Sequence, residues 1–188
     1  KVYRNTKMVI LPDRSKVNMF VPFMSNYNKL LVDTCHKRGA FGMGGMSAQV
    51  IAKSNPKEIN EKALTGVKKD KERELNQGND GAWVAHPSLV EPVKNIFEKN
   101  FKGPNQLNKF NNIKINRRDL LDEPKFDNAI TELGVRENLN EGIEYMAFWI
   151  IGTGCCVVNY LMADAATCEV SRAQLWVWIK YKVKLDDG

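Results

Sequence analysis

The sequence predicts an α/β fold in which two βα units of a parallel sheet lead into a helical C-terminal half. Three observations carry this reading. Over the first hundred residues, short strand-like runs alternate with helix-period segments, the order expected of parallel strands joined by crossover helices. After Phe101 the strand signal fades, and the Asn-rich stretch from Gly103 to Asn116 reads as a loop or linker. From Val135 onward, apolar residues recur every three or four positions. At 188 residues, 43% hydrophobic and 27% charged, the chain is long enough for one sizeable core. No apolar run approaches the ~20 residues of a membrane helix. Fibrous, disordered and disulfide-scaffold classes do not fit this composition.

Taken in order, Ser25 is placed to cap a helix whose apolar positions are Tyr27, Leu30, Leu31 and Cys35, with Gly39 as its stop. Residues 40–46, apolar with three glycines, read as a buried strand where something approaches the backbone closely. Pro56 to Leu75 reads as a polar outer helix with a narrow stripe of Ala63, Leu64 and Val67. Its stretch 68–74 alternates charge and is expected to be a solvated face. Asn79-Asp80-Gly81 signals a turn before a strand at 82–86. Pro87 and Ser88 then open a helix burying Leu89, Val90, Val93, Ile96 and Phe97. Farther on, a helix over 135–151 is expected to bury Leu139, Ile143, Met146, Ala147 and Ile150. A last helix is expected to start at a capping box over Ser171 to Gln174 and to bury Leu175, Trp178 and Ile179.

The net charge of +6 comes from scattered basic residues, and the densest stretch, 68–74, alternates sign with no interleaved aromatics, so nucleic acid is not expected as a partner. The four cysteines show no C-x-x-C spacing and no nearby histidine cluster, so they read as buried thiols rather than zinc ligands. No secretory signal peptide and no C-terminal peroxisomal tripeptide is visible. The chain starts at Lys1 rather than Met, so its native termini are expected to lie elsewhere. Of the two histidines, His36 reads as a cation complementing a helix C-terminus. His86, just after a strand, reads as a loop residue or a direct participant in chemistry. Asp164 follows an apolar run between alanines: it is either a helix cap or a carboxylate whose pKa a low-dielectric site would raise toward that of a useful base. No nucleophile elbow, phosphate loop or H-E-x-x-H pattern occurs.

Several stretches resemble the malate synthases of the glyoxylate cycle, in their A-type form. They are VILPDR at 9–14, TCHKRGAFGMGGMSA at 34–48, NDGAWVAHP at 79–87, GVREN at 134–138 and NYLMADAATCEVSR at 159–172. They run in family order along nearly the whole chain. The resemblance implies the C-terminal portion of a (β/α)8 TIM barrel, its last βα units at 1–102, followed by an all-helical C-terminal domain at 103–188. A complete barrel of ~250 residues would not fit in this length. It implies condensation of acetyl-CoA with glyoxylate to malate and CoA, with Mg²⁺ bound. By resemblance Asp164 matches the base that deprotonates the acetyl methyl. Trp83 and Met43 match the glyoxylate pocket, and Met162 and Pro87 match positions near the thioester.

The family's catalytic arginine and metal carboxylates lie in earlier barrel strands with no counterpart here, so the Mg²⁺ ligands are expected from outside these residues. These 188 residues are therefore expected to be inactive alone. At Ala163 the family usually has Glu. The alternative is a degenerate family member kept as a structural or interaction subunit. Peroxisome, glyoxysome or cytoplasm is the expected setting, without a membrane partner, and oligomerisation is left open.

Overall fold

The computed structural model describes residues 10–121 and 129–187, which cluster as two compact units. The described residues of the sheet unit lie within 22–121 and 159–162, and those of the helical unit within 10–21, 129–158 and 163–187. Among the described residues no helix is long and apolar enough to cross a membrane.

The sheet unit opens with α1 (Pro22–His36). It begins three residues before the expected cap, because Pro22 brings a helix-ready φ to the first turn. Ser25 thus lies inside the helix, where its hydroxyl accepts from Gln77 Nε2 at 2.9 Å. The expected inward face is also rotated: Asn28, Val32, Asp33 and His36 are buried, whereas Tyr27 and Leu30 are exposed. The reason is hydrogen bonding. Asn28 donates to Asn79 at 2.7 Å, and Asp33 accepts from the backbone of Asn111 at 2.8 Å. Satisfied polar groups can occupy a core face that hydropathy would deny them. Gly39, at φ +67°, ends the turn in the left-handed region as expected.

Strands β1 (Met43–Ser47) and β2 (Gly81–Val84) pair in parallel and are joined by α2 (Lys57–Gln77), a β-α-β unit as the alternating pattern predicts. Gly78 closes α2 at φ +100°, donating its N–H to Leu75 O at 3.1 Å. The charge-alternating end of α2 is not a solvated face. Lys71 is 0% and Glu74 1% exposed, paired with each other beneath β1. After β2, a 3-10 turn (Pro87–Leu89) leads into α3 (Val90–Asn100). Val67, Leu75, Leu89, Val93 and Phe97 form the core, with Phe97 edge-on to Phe101. Val90 points outward instead. The Asn-rich segment is irregular, and it docks on this unit through Gln106 to Asp80 and Asn111 to Asp33.

The helical unit pairs α4 (Glu132–Ile150) with α5 (Ala165–Lys180). Thr131 caps α4, accepting from Gly134 N, while its own hydroxyl donates to Asp13 at 2.6 Å. Residues 11–14 lie along the helices: Trp178 donates to Leu11 O, Gln174 to Pro12 O, and Arg14 to the Ser171 hydroxyl. α4 buries Asn138 and Tyr145, so the predicted inner stripe faces outward, with Ile143 68% and Ile150 72% exposed. The register of α4 follows polar and aromatic contacts, Asn138 with Gln174 and Tyr145 with Gly154 O, rather than the strongest apolar period. α5 starts six residues before the expected capping box. Ser171 is therefore internal, and Ile179 is exposed whereas Trp178 is buried.

This part of the chain is also not all-helical. Cys155–Val158 (β3) and Leu161–Asp164 (β4) form a hairpin. Its two-residue turn places Asn159 and Tyr160 at φ +49° and +65°, the left-handed pair of a tight hairpin. Tyr145, Cys156, Val158 and Ala163 pack together, with Cys168 against them.

Candidate functional site

Asp164 ends β4 and caps α5. Its Oδ1 accepts from the backbone N–H and the hydroxyl of Thr167, both at 3.0 Å, and its own N–H donates back to the Thr167 oxygen at 3.3 Å. This reciprocal box arises because Thr sits at the third helical position after Asp. Neither Thr167 bond uses Oδ2. The Thr167 bonds stabilise the carboxylate and hold its pKa below the ordinary 3.8, outweighing partial burial. The expectation of a raised pKa is thus corrected: a donor-rich helix start, not a low dielectric, dominates at Asp164. Nearby, burial pushes the Glu141 carboxyl up; Arg14 opposes that shift, and Glu144 and Asp164 add to it.

In the sheet unit, Trp83 stands opposite Met46 and is 63% exposed. Pro87 opens the 3-10 turn just beyond β2. The backbone N–H of Met162 donates to Ala48 O at 2.7 Å, and Leu161 bridges Gln49, so Met162 lies just past the end of β1. Trp83, Pro87 and Met162 therefore belong to the C-terminal ends of the parallel strands, where α/β proteins build their sites. Met43 is at the opposite end of β1, paired with Gly81. Asp164 follows Met162 by two residues in the same strand. Beside Met162's anchor, Ser47 Oγ and Gln49 Oε1 are buried without a hydrogen-bond partner among the described residues.

The two histidines do structural work. His36 is buried, with Nε2 2.8 Å from Asp80 Oδ2 and Nδ1 2.7 Å from Lys109 O, tying α1 to the start of β2 and to the loop. His36 ends α1 as expected, but its burial was not foreseen. His86 Nδ1 accepts from Ser88 N at 3.2 Å and caps the 3-10 turn. A cleft of about 650 Å³ opens between β2, α3 and the loop after Phe101, lined by Ala82, Val84, Val93, Lys94 and Phe97. None of the five predicted residues lines it. Among the described residues no three His, Cys, Asp or Glu side chains converge as a metal site requires. Sequence reasoning missed the Lys71–Glu74 pair. The available signal was opposite charges three residues apart on a helix that must cross a Gly-Gly strand.

The comparisons agree with this architecture. The family model described as "Malate synthase, TIM barrel domain" matches residues 1–123, and "Malate synthase, C-terminal" matches residues 129–188. The malate synthase of Myxococcus xanthus is 44% identical over 189 residues, covering all of this chain and 34% of that protein. The glyoxysomal malate synthase of Candida tropicalis is 48% identical over 191 residues, again all of this chain and 34% of the relative. The bifunctional glyoxylate cycle protein of Caenorhabditis elegans is 42% identical over the whole chain, which spans 19% of it. The chain thus spans about a third of the length of the malate synthases it matches. With barrel-domain and C-terminal matches in series along the β-α-β unit and the helical pair, the chain belongs to the malate synthase family.

Proposed function

We propose that the protein containing these residues condenses acetyl-CoA with glyoxylate and hydrolyses the resulting thioester to malate and CoA. Residues 1–102 supply the last βα units of the barrel, and 103–188 lead from the docked loop into the domain that carries the base. Asp164 takes a proton from the acetyl methyl, breaking a C–H bond and leaving an enolate. The enolate carbon attacks the glyoxylate aldehyde carbon, forming the new C–C bond, and water then cleaves the malyl thioester to release the thiol. Trp83 lines the glyoxylate side, and Met162 and Pro87 the thioester side.

A thioester α-proton is only weakly acidic, so the carboxylate needs a partner that stabilises the enolate. By the family resemblance that partner and the Mg²⁺ ligands belong to earlier barrel strands; no step here is assigned to a metal. The 188 residues alone are accordingly expected to be inactive. Relatives from Candida tropicalis and Gossypium hirsutum are named glyoxysomal, which favours a peroxisomal or glyoxysomal setting.

The observation that carries the reading is the Asp164 carboxyl, oriented through Oδ1 by Thr167 and placed two residues after Met162. The test is malate formation by the complete protein, followed by loss of deuterium from methyl-labelled acetyl-CoA. Malate with methyl deuterium released is expected; no malate from a folded protein overturns the reading.

A further inference from the structure

Between its paired positions β1 carries one residue more than β2: Met43 faces Gly81 and Met46 faces Trp83. Gly44 and Gly45 make up this bulge. An extra strand residue leaves main-chain groups without their ladder partner. At Gly45 side chains take that place. Its N–H donates to Glu74 Oε1 at 3.0 Å, and its carbonyl accepts from Lys71 Nζ at 2.7 Å. Lys71 Nζ also lies 3.0 Å from both Glu74 oxygens. Asp70 approaches the same ammonium at 3.1 Å. A methyl group on Gly44 would overlap the Glu74 carboxylate, so only glycine fits above it.

A buried ion pair is a costly way to obtain stability, because desolvation consumes most of the Coulomb attraction. It does impose geometry, here on the segment that leads from the bulge to Met46, Ser47 and Gln49. We infer that Lys71 and Glu74 are positioning residues for the reaction proposed above, locking the bulge so that the end of β1 meets Trp83 and Met162 in one register. The inference rests on the malate synthase reading.

The test uses the complete protein, with kcat and KM measured for both substrates alongside thermal melts. The double variant Lys71→Met/Glu74→Leu removes both charges together, leaves no unpaired ion, and abandons Gly45. Its glyoxylate KM is expected to rise about tenfold or more, because small misplacements of a binding wall are costly. Glu74→Gln keeps the packing and an acceptor for Gly45 but weakens the hold on Lys71, and is expected to raise that KM about threefold. A purely structural role would lower the amount of active enzyme and leave KM unchanged, which overturns the inference. If the double variant does not fold, Glu74→Gln alone decides on the same criterion. A folded wild-type protein that makes no malate overturns the underlying reading and this inference with it. Active variants with unchanged KM overturn the inference alone.

Discussion

Asp164 caps α5 and, in the reaction proposed above, is also the base, two roles that substitution can separate. As a cap it needs only an acceptor for the Thr167 N–H and hydroxyl; as a base it needs a group that takes up a proton. Asparagine caps helices about as well as aspartate, so Asp164→Asn should change stability by less than about 0.5 kcal/mol. Alanine loses both Thr167 bonds, and Asp164→Ala should cost about 1 kcal/mol. Activity should not follow stability. Neither replacement accepts a proton from a methyl group, so both should lower turnover about 100- to 10,000-fold. The assay is CoA-thiol release by the complete protein, with melts on the same samples. An Asp164→Asn variant within about threefold of wild-type turnover would refute the base assignment. An active Asn variant beside an inactive Ala variant would show that only the cap matters.

Three further outcomes are expected. Ala163 is 0% exposed, packed with Tyr145, Cys156 and Val158, so Ala163→Glu, although it brings in the residue usual in the family, buries a carboxylate among side chains fitted to alanine and should destabilise by about 3 kcal/mol or more. Burial would raise that new carboxyl's pKa, so the penalty should be full at neutral pH and ease on acidification; an equal penalty at every pH in urea titrations would contradict this. A Cβ on Gly134 would overlap the Asp13 carboxylate, itself tied to Thr131, so Gly134→Ala should cost about 1–3 kcal/mol despite alanine's better helix propensity, and a stabilised variant would refute the packing argument. Because Thr167 holds the Asp164 pKa below 3.8, its ionised form contributes stability that is complete above that value and is lost as pH falls through the lowered one. The stability of wild type relative to the non-titrating Asp164→Asn should therefore fall below about pH 4, and a pH-independent difference would count against it.

Much of the sheet unit was legible because its signals are local. Gly39 and Gly78 adopt left-handed conformations that stop helices, and Pro87 opens a turn. Two strand-like runs separated by a helical one come out parallel, since a crossover helix leaves little alternative. What misled were patterns whose meaning depends on distant residues. The alternating charges at 68–74 look solvated until β1's bulge is seen to need Glu74 and Lys71. The apolar stripe of α4 looks like a core face, yet Asn138 and Tyr145 set which side packs against α5 and the hairpin. The hairpin itself was hidden because neither Asn159 nor Tyr160 is glycine, although both take positive φ.

At the candidate site the division is similar. Residue identities in order carried the family and singled out Asp164 and its neighbours in β4, because these are properties of a linear pattern. The chain could not reveal that Thr167 pulls the Asp164 pKa down rather than burial pushing it up, nor that His36 is locked between Asp80 and Lys109 O. Propensity and period act over a few neighbouring residues. Charge state, burial and register are decided by groups brought together from dozens of positions away, and these emerge only once the chain has folded.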